Sequence, residues 1–218
     1  ISGAWSINDR GKVVGYSMLS AFDRRAVLWD HRGTRVLENL GGTFGDAFAI
    51  NGKGEIVGQS TLPDEPDEVA HAVLWNKKGL TDLNPFGSTL SAALSINRKG
   101  EIVGAFLTSE GFLQAALWDK HGVYPLGTLG GDQSEAYWIN DKGDAVGWCE
   151  LSEGGWHACL WTASGDTVDL GALDGLYSEA NSINDHGEIV GACYSDETLE
   201  TSKAFLWTKK QGMRDLNT

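Results

Sequence analysis

At 218 residues, with 41% apolar residues, 29 Gly and only 4 Pro, the chain is long enough for a sizeable core and too apolar to be disordered. Its net charge of −13, with 17 basic residues that form no cluster, repels phosphate backbones and anionic lipid, which argues against nucleic acid as a partner. No apolar run approaches the roughly 20 residues of a membrane span, so membrane insertion is not expected.

From the N-terminus, the first β-rich run is Ala4-Trp5-Ser6-Ile7, which stops at the polar turn Asn8-Asp9-Arg10-Gly11. Asn and Asp tolerate turn geometry and Gly supplies positive φ, so a tight hairpin is predicted. A second run ends in Val14-Gly15, a third is Ala26-Val27-Leu28-Trp29, and Gly33 turns the chain into a short fourth run ending at Leu37.

The same series then returns four times. The Ile-Asn pair recurs at Ile50-Asn51, Ile96-Asn97, Ile139-Asn140 and Ile183-Asn184, and a Val-Gly pair follows each at Val57, Val103, Val146 and Val190. Ala-x-Leu-Trp ends at Trp75, Trp118, Trp161 and Trp207, and the closing Leu at Leu83, Leu126, Leu170 and Leu216. A period of 43 to 46 residues marks a solenoid, a propeller or an array of small modules.

Four short antiparallel strands per unit predict a propeller blade, with no helix of consequence. The expected fold is all-β: a single five-bladed β-propeller domain over residues 1–218, with one repeat per blade at about 1–40, 41–86, 87–129, 130–173 and 174–218. Adjacent apolar pairs such as Ile56-Val57 and Leu74-Trp75 put bulk on both faces of a sheet, as in a blade between two neighbours. The five repeated Trp are read as inter-blade packing. Nine residues link the closing Leu to the next Ala at each covalent junction, and Asn217, Thr218, Ile1, Ser2 and Gly3 supply five between the end and the beginning. Closure is therefore expected through packing of blade five on blade one.

If the first strand is innermost, the second-to-third loops and the inter-blade links share one rim. On that rim the residue opening each third strand is Arg25, His71, Gln114, His157 or Lys203. The residue before the first-strand Ala is Gly3, Asp46, Ala92, Glu135 or Glu179. A repeated polar pair at each cleft could bond sugar hydroxyls or a peptide, or simply satisfy loop backbone groups. Trp148, Trp156 and Tyr177 lie off the regular Trp position and suit a ligand apolar on one side and hydroxylated on the other. Core filling accounts for Trp148 equally well.

The other chemistry-bearing residues say less. Asp64 to Glu68, and Asp196-Glu197 with Glu200, read as solvated loops or as a weak calcium site; no other cofactor is expected. The three Cys fit small buried positions, and a Cys149–Cys159 bridge across one hairpin is the alternative. No Ser-His-Asp order, phosphate loop or zinc spacing appears.

His71-Ala72-Val73-Leu74-Trp75, His157-Ala158-Cys159-Leu160-Trp161 and Leu126-Gly127-Thr128-Leu129-Gly130-Gly131, followed by Glu135-Ala136 and Ile139-Asn140, resemble the bacterial HAF repeats, named for a His-Ala-Phe triplet. The resemblance covers the whole chain but departs in detail: only Lys203-Ala204-Phe205 keeps Ala-Phe, and Arg25, Gln114 and Lys203 replace His. It implies an extracellular or periplasmic location and supplies no mechanism.

These readings favour a non-catalytic, lectin-like module, expected to be monomeric, that binds carbohydrate at clefts on the loop-rich rim. The alternatives are a scaffold for extracellular protein partners, or a glycoside hydrolase or lyase using Asp46, Glu135 and Glu179 near the axis. Equivalent repeat positions suit repeated binding sites better than the unlike acid and base of an enzyme.

Overall fold

A computed structural model of the chain describes residues 1–63, 69–173, 175, 177–195, 198–199 and 201–217. Residues 64–68, 196, 197 and 200, which include both stretches considered for calcium, lie outside this description. Every strand predicted from the repeat is present, and no helix occurs among the described residues.

Unit one contains β1 (Ser2–Ile7), β2 (Val13–Ser20), β3 (Asp23–Asp30) and β4 (Gly33–Val36). Unit two contains β5 (Gly45–Ile50), β6 (Ile56–Thr61), β7 (Ala70–Asn76) and β8 (Gly79–Asp82). Unit three contains β9 (Ser91–Ile96), β10 (Ile102–Leu107), β11 (Leu113–Asp119) and β12 (Gly122–Pro125). Units four and five contain β13 (Gly130–Ile139), β14 (Ala145–Leu151), β15 (Trp156–Trp161) and β16 (Thr167–Asp169), then β17 (Tyr177–Ile183), β18 (Ile189–Tyr194), β19 (Ser202–Thr208) and β20 (Gly212–Asp215). Each unit is an antiparallel four-stranded meander in chain order, and a single parallel contact, Trp156 with Tyr177, joins units four and five into one sheet.

The repeated motifs follow from local chemistry. The Asn of each Ile-Asn pair closes its turn by accepting backbone N–H bonds on Oδ1, as Asn51 does from Lys53 and Glu55, both at 3.0 Å. Its Nδ2 then reaches the next unit. Asn8 donates to the Asn51 carbonyl, Asn51 to Asn97, Asn97 to Asn140 and Asn140 to Asn184, at 3.0 to 3.1 Å. One side chain thus stops a strand and ties two units together.

The Gly of each Val-Gly pair answers a bulge. The first strands slip register by one residue at Trp5, Phe48, Leu94, Tyr137 and Asn181. The slip presses a first-strand carbonyl onto the facing Gly. A Cβ on Gly15, Gly58, Gly104, Gly147 or Gly191 would lie 1.8 to 2.0 Å from the oxygen of Gly3, Asp46, Ala92, Glu135 or Glu179, so no side chain fits.

The core is divided among the junctions. Within unit two, Ile56 and Trp75 pack against Leu28 and Leu37 of unit one, while Val57 and Leu74 pack against Ala93 and Ile102 of unit three. Trp75 Nε1 donates to the Glu38 carbonyl at 2.6 Å, Trp118 Nε1 to Leu83 at 2.9 Å and Trp161 Nε1 to Gly127 at 2.8 Å, each in the preceding unit. Trp75, Trp118, Trp161 and Trp207 therefore pack between units as the sequence predicts, and the N–H groups of the first three pin the inter-unit links as well, whereas Trp29 joins none of the four inter-unit clusters.

The five Ile-Asn pairs all line one cavity of about 340 Å³, which places the first strands of all five units around a common axis. Arg98 of unit three reaches across it to Asp9 of unit one at 3.8 Å.

The arc does not close, contrary to the expectation from linker length. Four hydrophobic clusters occupy the four covalent junctions, and no fifth joins unit five to unit one among the described residues. Ile7 is 67% exposed, whereas Ile50, Ile96, Ile139 and Ile183 are at most 8% exposed. Val190 is 42% exposed, whereas Val14, Val57, Val103 and Val146 are fully buried. The Asn ladder ends with Asn184, whose Nδ2 donates to Glu188 and not to Asn8. Five linker residues are enough to bridge the ends, but closure also requires the outer faces of units one and five to meet, and they do not.

Candidate functional site

Four of the five residues opening the third strands, Arg25, His71, His157 and Lys203, are engaged within or near their own units. His71 Nδ1 lies 2.8 Å from Asp82 and its Nε2 lies 3.1 Å from Asn84 Nδ2. His157 Nδ1 lies 2.8 Å from Asp169, and Lys203 Nζ lies 3.9 Å from Asp215. These partners are repeat-equivalent aspartates that close the outer strand. Arg25 pairs with Asp23 and donates to the Gly42 carbonyl, and Gln114 is half-buried on the same row. None of the five is bonded to Asp46, Glu135 or Glu179. The repeated polar pair expected at each cleft is therefore not formed by these residues.

The carboxylates find other neighbours. Asp46 is bound by Arg24, one residue before the expected partner, through Nη2 at 2.7 Å and Nε at 3.1 Å. The Arg24 guanidinium lies 3.6 Å from the Tyr16 ring centre and 4.9 Å from that of Phe44, so it is stacked as well as paired. Trp5, the bulge residue of unit one, lies near the Asp46 carboxyl and helps to lower its pKa.

Glu135 and Glu179 come together at the junction of units four and five. Trp156 packs against Tyr177 at 4.5 Å between ring centres and against Trp148 at 6.0 Å, so the three aromatics singled out in the sequence form one cluster. Trp148 Nε1 donates to Glu135 at 3.4 Å. Trp156 Nε1 is buried close to Glu179 without reaching hydrogen-bond geometry, and finds no other acceptor. Tyr137, the bulge residue of unit four, adds its hydroxyl beside Glu135.

Electrostatics set this junction apart. Burial pushes the Glu135 carboxyl up from its ordinary pKa, against the lowering effect of bonds from Trp148 and Tyr137, and the Glu179 charge pushes it further. Burial likewise raises Glu179, and no Arg or Lys offsets it. The Tyr137 phenol is raised by burial and by the charges of both glutamates. Asp46 is also raised by burial, but Arg24 works against the shift there.

No protein-family model and no curated protein matches the chain. Solved structures do. The chain is similar to TolB from Acinetobacter baumannii, with a TM-score of 0.64 and 12% identity over 99% of this chain and 53% of that one. It is also similar to the SapL1 lectin, solved in complex with alpha methyl fucoside, with a TM-score of 0.49 and 14% identity over 99% of this chain and 79% of that one. The chain spans about half the length of TolB. The TolB likeness places it among all-β, propeller-like folds, in agreement with the four-stranded units.

The raised carboxyls carry a stability consequence. Glu135 and Glu179 hold their protons more tightly folded than unfolded, so their contribution favours the fold below the ordinary carboxylate value of about 4.3. That advantage is lost as pH rises through their higher folded values. Glu135→Gln, which cannot ionise, is expected to melt above the parent protein at neutral pH, with the difference shrinking as pH falls toward about 4. Thermal melts across this range test it, and a difference independent of pH would overturn it.

No group of three or more His, Cys, Asp or Glu among the described residues is placed to hold a metal ion. Cys149 and Cys159 form a disulfide across β14 and β15, so the alternative reading of these two cysteines holds, while Cys193 is free and buried. The sequence reading missed Arg24, Tyr16, Phe44 and Tyr137. A signal for the first was present: Arg24 and Trp156 each immediately precede a third-strand opening residue and are therefore the same repeat position.

Proposed function

We propose that this chain is a non-catalytic binding module, a propeller-like scaffold of five blades that takes carbohydrate at the junction of units four and five. The observation that carries the reading is the Trp148–Trp156–Tyr177 cluster set against Glu135 and Glu179. Half-buried rings offer apolar faces to the C–H side of a sugar, and the carboxylates beside them accept from hydroxyls. The unpartnered Trp156 N–H is one more donor at the same place. Catalysis draws less support, because neither carboxylate has a partner that would fix one as acid and the other as base.

The Cys149–Cys159 bridge supports an extracellular or periplasmic location, since disulfides persist in oxidising compartments. Membership of the HAF-repeat family is proposed on the recurring Ile-Asn, Val-Gly and Ala-x-Leu-Trp motifs. A protein partner remains the second reading, favoured by the exposed sheet faces at Ile7 and Val190.

Glycan-array screening followed by calorimetry tests the proposal. Saturable sugar binding is expected, and Trp156→Ala is expected to weaken it by at least about tenfold, because stacking on an aromatic ring together with its lost N–H contributes on the order of 1–2 kcal/mol. Circular dichroism should show the variant folded. Unchanged affinity in that variant, or no glycan bound at all, would remove the reading.

A further inference from the structure

The junctions of units one/two and four/five are built alike. Arg24 with Phe44, and Trp156 with Tyr177, make the same parallel bridge between the third strand of one unit and the first strand, or its approach, in the next. By repeat position Trp5 corresponds to Tyr137, Tyr16 to Trp148, Phe44 to Tyr177 and Asp46 to Glu179. In both places aromatic rings surround a first-strand carboxylate. The difference that matters is at the third strand, where Arg24 stands in one and Trp156 in the other.

The first junction is complete in itself. Its carboxylate is neutralised by a guanidinium that also stacks on two rings. The second keeps the rings and has two carboxylates, since Glu135 stands where unit one has Gly3, and none of the described hydrogen bonds or ion pairs brings a cation of the chain to either. The two remaining junctions are not of this kind: Gln59, Ala70, Leu90 and Ala92 occupy the corresponding positions at units two/three, and Ala105, Leu113 and Gln133 stand beside Glu135 at units three/four.

We propose that the junction of units four and five recognises a positively charged group on its ligand, and, resting on the carbohydrate reading above, that this ligand is a sugar carrying a free amine. The ammonium lies over the Trp156 and Trp148 rings and pairs with Glu179 and Glu135, while the sugar ring stacks on Tyr177. Cation–π contact and a half-buried carboxylate reinforce each other, because the rings exclude water from the ion pair. Arg24 is the chain's own example of the same recognition.

The test is calorimetric titration with a short oligomer of unsubstituted glucosamine and with its N-acetylated counterpart, at a pH low enough to charge the amine and high enough to keep the burial-raised carboxyls ionised. The free-amine oligomer is expected to bind at least about tenfold more tightly than the acetylated one. Glu179→Gln should lose at least about tenfold, whereas Glu110→Gln, which removes an exposed carboxylate of unit three, should lose nothing; this separates the site from attraction to the net negative charge. Trp156→Arg rebuilds the Arg24 arrangement and should abolish binding while the protein stays folded.

Equal affinity for both oligomers would overturn the cation proposal and leave the carbohydrate reading standing. An equal loss in Glu110→Gln and Glu179→Gln would overturn the assignment to this site. Binding of an arginine-bearing peptide with neither sugar bound would overturn both the amino-sugar ligand and the carbohydrate reading.

Discussion

Replacing Trp75 by alanine is expected to lower the unfolding free energy by about 3–5 kcal/mol, the range for deleting a buried indole. The side chain is 5% exposed and packs against Leu28 and Leu37 of the preceding unit and Ile56 and Val73 of its own. Its N–H is also the 2.6 Å donor to the Glu38 carbonyl, so truncation opens a cavity and removes an inter-unit hydrogen bond together. The damage falls on a junction and not within one sheet. Chemical denaturation against the parent protein checks it, and Trp75→Phe separates the two causes by keeping most of the volume and losing only the bond, at about 1 kcal/mol for the bond itself. A loss below about 1 kcal/mol for alanine would mean that the inter-unit contact is not formed as described.

Gly104→Ala is expected to be as severe, for a different reason. A single methyl at this position would lie 1.9 Å from the Ala92 carbonyl oxygen and 3.1 Å from the Ala93 Cα. Both are backbone, so relief requires the bulge itself to move, and the cost belongs at or above the upper end of overpacking effects, about 3 kcal/mol. Ala105, the next residue, is equally buried and already carries the methyl, which makes Ala105→Gly a useful contrast: it should cost about 1 kcal/mol through lost propensity and burial. Should Gly104→Ala fold with parental stability, the close approach at the bulge would be refuted.

The repeat was legible because it is written in residue types. Ile-Asn, Val-Gly and Ala-x-Leu-Trp mark a strand end, a second strand and a third, and the strands fall where those marks predict. The alternation of Ile56 with Val57 and of Leu74 with Trp75 between two packed faces was legible for the same reason, since period-two burial is a property of one strand. The bulge was not, because a register slip is a relation between two strands and leaves no mark in either alone. Closure was misjudged because linker length constrains only the chain's reach, whereas the ring depends on the angle at which each unit leans on the next.

The candidate site divides similarly. Trp148, Trp156, Tyr177, Glu135 and Glu179 were visible as residues that break the repeat, and the fold brings them together. Arg25, His71, Gln114, His157 and Lys203 were visible as a polar row, but Arg25, His71, His157 and Lys203 are engaged by aspartates and by nearby polar groups of the chain. Adjacent strand residues point to opposite faces, so reading Arg25 in place of Arg24 chooses the wrong side of the sheet.

The asparagine ladder ties each unit to its immediate neighbours. Units two, three and four are held from both sides, whereas units one and five are each held from one. Cohesion is therefore graded along the chain, and loosening should begin at the two extremities and travel inward, as in a row of stacked modules that frays before it melts.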